Sequence, residues 1–269
     1  MNFIGARLAV GRRMRICSIA LLAILAAASP VAAQSQSSPP PSQRPSSSTP
    51  DFLFGQPRVS VAVRGGWVFS RAGSDWYDFV TNQLTLDKHN FNTPSIAADV
   101  NITLNNRLDA VVGIDYGGTT SGSEYRHFVD NNGQPINQET TLGQLNITGG
   151  VKFALLDRGR RISSFAWIPR GVVPYVGAGG GMVWYHLEQK GDFVDYVDYS
   201  VFTDLFESRG WAPTAHVMGG VDVRVARKLY VTVDARYRWA AADLSSQWVS
   251  FDPIDLSGLR LSAGVNVAF

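Results

Sequence analysis

Eight stretches of the chain place an apolar residue at every second position. That period of two marks a strand with one greasy and one polar face. The last stretch is the clearest: Leu259, Leu261, Ala263, Val265, Val267 and Phe269 alternate with Gly258, Arg260, Ser262, Gly264 and Asn266. The other seven are residues 58–71, 95–104, 107–116, 142–155, 172–187, 211–225 and 229–239. In the fifth, the glycines Gly177, Gly179, Gly180 and Gly181 interrupt the alternation, and the sequence does not fix which face points outward. Glycines there would let other side chains approach closely across a narrow interior.

The connections fall into two classes. Only Asn105-Asn106 separates the second and third strands, and only Ala226-Arg227-Lys228 the sixth and seventh. The opposite ends carry long segments, 72–94, 117–141, 188–210 and 240–256. Alternating tight turns and long loops are expected of an up-and-down barrel with periplasmic turns and extracellular loops. Residues 156–171 break the pattern, being long, basic and partly aromatic where a short turn belongs.

The two faces decide the solvent. The apolar face is aliphatic along its middle and aromatic toward strand ends, at Trp67, Phe69, Tyr116, Phe153, Tyr237, Trp239 and Phe269. Aromatic rings settle at the headgroup level of a bilayer, so this face is expected to meet lipid. The other face carries Arg64, Asp99, Asp109, Asp115, Lys152, Asp222, Arg224, Asp234, Arg236 and Arg260, with Arg58, Arg107 and Arg238 in the same phase. Unpaired buried charge is costly, so these residues predict an interior network of ion pairs or bound water. The fold class expected is all-β, an eight-stranded antiparallel transmembrane β-barrel of the outer-membrane type. Eight strands leave an interior that side chains fill, and no wide channel follows.

The stretches Pro174–Gly181 (PYVGAGGG) and Val231–Trp239 (VTVDARYRW), with the C-terminal Phe269, resemble the opacity-protein and OmpA-transmembrane-like group of outer-membrane barrels. The resemblance covers 58–269. It implies that Val265, Val267 and Phe269 form the signal read by the barrel-assembly machinery. It also implies a membrane-stabilising, adhesive or narrow-pore role.

Upstream, Arg12, Arg13 and Arg15 precede the apolar run Ile16–Ala28 and the small-residue end at Ala33. This is the pattern of a cleaved secretory signal peptide over 1–33, with Met14 an alternative start. About 13 apolar residues are too few to span a bilayer. Residues 34–57 are rich in Ser, Gln and Pro and read as a disordered periplasmic tether. The signal holds four arginines and no acid. Removing it takes Lys+Arg from 24 to 20 against 22 acids, and the net charge from +2 to −2. No basic footprint for nucleic acid remains. Cys17 leaves with the signal, so the mature chain has no thiol for disulfide, zinc or nucleophilic chemistry.

Four histidines remain: His89, His127, His186 and His216. None has the neighbours of an outer-leaflet deacylase motif, and no H-x-x-x-H metal spacing occurs. No enzyme, metal or cofactor is expected. Residues 188–210 alternate acids with aromatic rings, and Asp192, Asp195, Tyr196, Asp198 and Tyr199 are the candidate surface contacts. A plain extension of the flanking strands, its acids bridged by cations among lipopolysaccharide, reads the same residues. The expected setting is the outer membrane of a Gram-negative cell, as a monomer among lipopolysaccharide. Three functions stay open: a structural and surface-interaction barrel, a narrow porin or small-solute transporter, and an enzyme acting on outer-leaflet lipid.

Overall fold

The computed structural model describes residues 53–130, 132–163 and 166–269. Its strands are β1 (Val59–Ser70), β2 (Thr93–Thr103), β3 (Leu108–Val129), β4 (Pro135–Ala154), β5 (Gly159–Ser163), β6 (Ala166–Pro169), β7 (Val172–Val194), β8 (Val201–Arg224), β9 (Leu229–Ala242), β10 (Ile254–Asp255) and β11 (Gly258–Ala268). Eight of them form one antiparallel ring in the order β1, β2, β3, β4, β7, β8, β9, β11. Pairing of β11 with β1 closes it, with Ser60 opposite Ala268 and Ser70 opposite Gly258. Closure leaves no open sheet edge, the condition for a sheet to cross a bilayer. The protein is a transmembrane β-barrel.

The outer wall shows why. Val61, Val63, Ile96, Val112, Ile114, Ile147, Val151, Val176, Val233 and Val265 all turn outward and are exposed. The ten residue steps from Leu259 to Phe269, at ~3.3 Å each and tilted ~40°, rise ~25 Å, the height of such an apolar band. Aromatic residues gather mainly at the loop end. Trp184 and Trp211 stand directly opposite each other there, and Tyr237 packs on Trp239 at 4.9 Å. Phe153 and Phe269 mark the turn end.

Four sequence expectations are corrected. Segments 117–141 and 188–210 are largely strand: the β3–β4 and β7–β8 hairpins run past the apolar band to tips near 130–134 and 195–200. The alternation fades there because the inner face mixes polar residues, Ser123, Gln138, Thr140 and Gln189, with apolar ones such as Ile136 and Leu187. Segment 72–94 contains a helix, α1 (Asp75–Gln83). Residues 156–171 fold into the β5–β6 hairpin. Arg58 and Arg107 lie outside the lumen, both exposed at the turn end, where Arg107 pairs with Asp157 at 2.6 Å. Strand ends open onto water, so period-two phase stops dictating burial at the last residue or two.

The signal peptide and most of the tether, residues 1–52, lie outside the described residues. The tether's end is ordered, however. Leu53 is buried and exchanges two backbone hydrogen bonds with Trp167 at 2.8 and 3.0 Å. The folded body therefore includes residues 53–57.

Candidate functional site

The interior is built in three storeys. At the turn end, Lys152 reaches Asp222 at 2.7 Å while lying 3.6 Å from the centroid of the Tyr175 ring. Thr232 donates its hydroxyl to the other oxygen of Asp222 at 2.6 Å. Arg158, from the connection before β5, swings under the barrel and pairs with Asp109. With Trp167 and Pro57 it leaves a cavity of only about 60 Å³ at this mouth. Arg224 is half-buried at the same rim.

The middle storey joins β1, β2, β3, β4, β9 and β11. Asp99 pairs with Arg64 and lies 3.6 Å from Arg236, while Arg64 also reaches Asp234 at 3.3 Å. Asp115 takes Arg260 at 3.1 Å and Arg238 at 3.6 Å, and accepts a hydrogen bond from the Asn146 amide at 3.1 Å. Of the thirteen charged residues in the inward phase, eleven lie along this storey or the one below it, Arg58 and Arg107 being the exceptions. Arg238, in the same phase, completes the middle storey, and Arg158, outside any period-two run, completes the lower one. Only its position in a basic connection could have pointed to Arg158.

Strand β7 also gets its face. Val173, Tyr175, Val183, Tyr185 and Leu187 are buried inside, while Val172, Val176 and Met182 face out. Gly177 stands opposite Met218 and Gly179 opposite His216 in the β7–β8 register. A Cβ on Gly177 would fall 2.6 Å from Met218 Cε, and one on Gly179 2.9 Å from His216 Cε1. The backbone carbonyls of Val151 and Gly149 in β4 would lie nearer still, so these glycines make room for the two neighbouring strands, rather than for groups reaching across the lumen.

The upper storey is a packed apolar head. Above Arg238 the inward residues become Val183, Tyr185, Leu187, Ala212, Ala240 and Leu142, all buried. Helix α1 drops into this ring. Its start is acidic at Asp75 and Asp78, favourable beside the helix N-terminus. Its buried face is Trp76, Tyr77 and Val80, each fully inaccessible. Trp76 meets Tyr77, Phe91 and Trp248 edge-on, with ring centroids 5.0, 5.8 and 6.1 Å apart. Burial, reinforced by the nearby Asp255 charge, pushes the Tyr77 hydroxyl pKa well above its usual value.

The candidate surface contacts sit on the β7–β8 tip. Tyr196, Asp198 and Tyr199 are exposed, and Asp192 and Asp195 half-exposed. The tip is held to its neighbours: Phe128 of β3 stacks on Tyr199 at 6.0 Å and meets Tyr196 edge-on at 5.9 Å, while Tyr196 donates to Gln83 at 3.2 Å. Partial burial and Tyr125 push Tyr196 up to about 12. Hydrogen bonds from Ser200 hold Asp198 below the usual carboxylate range. Phe128 and the exposed Val129 join this surface from 68 residues away in the fold's other long hairpin, a meeting that no local pattern announces.

The histidines are scattered. His216 is buried in the lumen, His186 lies 3.3 Å from Glu207 on the outer wall, His89 lies 3.9 Å from Asp87, and His127 is exposed. Among the described residues no group of three His, Cys, Asp or Glu side chains is placed to hold a metal ion. Phe269 faces outward, its carbonyl accepting from Arg58 N–H at 2.9 Å and its N–H donating to Val59 at 2.8 Å.

No protein-family model matches the chain, and no curated protein sequence does. Among solved structures it is similar to Ail, the attachment invasion locus protein of Yersinia pestis, at 14% identity and TM-score 0.40, over 78% of this chain and 99% of that one. Neisserial surface protein A matches at 15% identity and TM-score 0.40, over 78% and 96%. The outer membrane protein OprG of Pseudomonas aeruginosa matches at 12% and 0.40, over 81% and 99%. At these values the likenesses carry no functional argument.

Proposed function

We propose that this protein is an outer-membrane barrel with a structural and surface-interaction role, its packed outer head and hairpin tips serving as the contact surface among lipopolysaccharide. The observation that carries this reading is closure of the lumen at all three storeys, above all by α1 with Trp76 and Tyr77 at 0% exposure. A conduit needs a continuous wet path, and here an apolar core caps a cross-linked charged layer. The hairpins that lift the tips are continuous strand, so they present Tyr196, Tyr199 and Phe128 on a stiff stalk. Stiff aromatic contact area loses little conformational entropy on binding.

The test is planar-bilayer recording of protein refolded in detergent and shown to migrate differently before and after boiling. The expected result is a silent bilayer. Stable unitary currents from the heat-modifiable form would overturn the proposal and favour the narrow porin.

A further inference from the structure

The middle storey carries more positive than negative charge. Its cations are Arg64, Arg236, Arg238 and Arg260, and its anions are Asp99, Asp115 and Asp234; all but the half-buried Arg238 are buried. Strand register makes the crowding unavoidable. Arg236 stands directly opposite Arg260. Asp99 and Asp115 each serve two guanidinium groups. Like charges placed side by side in a water-poor interior repel strongly unless a counter-charge lies between them.

The hydrogen-bond ledger points to the same spot. Arg260 is only 4% exposed; its Nη1 lies 3.1 Å from Asp115, yet its Nε and Nη2 have no hydrogen-bond partner among the described residues. The Nε atoms of Arg236 and Arg238 and Nδ1 of His216 are likewise buried without one. Buried guanidinium donors of this kind call for an acceptor, and the storey's own unpartnered carboxylate oxygens, Asp99 Oδ1 and Asp234 Oδ2, do not line the space between them. They surround a cavity of about 10 Å³ bounded by Asp115, His216, Arg236, Arg238 and Arg260. That volume suits one water-sized occupant, and sulfate or phosphate is too large for it.

We infer that this cavity is a binding site for a single monatomic anion, chloride being the natural occupant. A water would accept some of the hydrogen bonds but leave the excess charge, whereas a halide does both. The inference stands apart from the surface role proposed above, because it concerns how the barrel interior is held together. No bond is made or broken; the ion replaces its hydration shell with guanidinium N–H groups.

Two measurements test it. Crystals of the refolded protein grown in sodium bromide should give an anomalous peak enclosed by Arg236, Arg238 and Arg260. The absence of a peak there at saturating bromide would overturn the site, and so would density that scatters as water. In solution, urea unfolding is compared in potassium chloride and in potassium gluconate of equal ionic strength. At a hundredfold excess over its dissociation constant, chloride should lower the unfolding equilibrium constant about 100-fold. Arg260→Met removes the excess charge and should abolish that difference. A chloride response that survives in Arg260→Met would mean general salt effects and refute the assignment. Should that variant fail to fold, the bromide map of the unaltered protein decides.

Discussion

Replacing Trp76 by alanine should unlock the outer head while leaving the barrel wall intact. Trp76 is fully inaccessible and touches three aromatic rings. A buried indole removes about 200 Å² from water, ~5 kcal/mol at 25 cal/mol per Å². Alanine recovers part of that and leaves a cavity, so the measured cost should fall at about 3–5 kcal/mol. The loss lands on a local opening. Helix α1 is held by side-chain packing and a few loop hydrogen bonds, whereas the ring of strands is closed by its own ladders. Local and global openings of one protein have separate free energies. Hydrogen exchange in nanodiscs should therefore show amides of α1 exchanging more than a hundredfold faster, since each ~1.4 kcal/mol is tenfold. Amides of β1 and β11 should be unchanged. Lys88→Ala, which breaks only an exposed pair with Asp78, is the control and should do nothing. Unaltered exchange in α1, or uniform acceleration across all strands, would refute the separation of head from barrel.

Asp115→Asn should destabilise the barrel by about 3–5 kcal/mol, because Arg238 and Arg260 then lose their shared counter-charge in a buried site. Urea unfolding followed by gel shift checks it, with the exposed Asp157→Asn expected to leave the midpoint where it was. For Tyr77 the pKa is raised in the folded protein. The native state thus holds its proton where the unfolded chain has lost it, and head stability present below pH ~10 declines as pH rises above that value. Trp fluorescence against pH should show this decline, and Tyr77→Phe should blunt it; identical curves would count against burial of the hydroxyl. Deleting Phe269 should cut the yield of heat-modifiable barrel in cells while the purified variant still refolds in detergent; full yield in cells would remove its assembly role.

Most of the wall was legible in the chain. Period two over Val59–Phe69 or Leu259–Phe269 survives because lipid on one side and a cramped polar interior on the other constrain every residue in turn. Phase likewise assigns Arg64, Asp99, Asp115, Asp234, Arg236 and Arg260 to one face, and the ring brings them together. Phase could not say which of them touch: that Asp115 of β3 meets Arg260 of β11 depends on the tilt and closure of the ring.

Above the membrane the pattern loses its grip. The residues 117–129 and 201–210 continue as strand, but both of their faces mix polar and apolar side chains, because one meets water and the other meets a loop. The helix Asp75–Gln83 carries a short apolar stripe that is meaningful only against Phe91, Trp248 and Leu187, which arrive from other loops and strands. The same holds for Arg158 and the Leu53–Trp167 pairing at the other mouth.

The sequence alone thus determined strand number, order, the inward face of every strand but the fifth and the kind of solvent outside, since each follows from local alternation read against lipid. Only the tertiary structure decided whether the tube is open. Occlusion is a property of what meets at the axis, and the groups that meet there, Trp76, Arg158 and the paired arginines, come from segments up to some 180 residues apart whose encounter no local periodicity encodes.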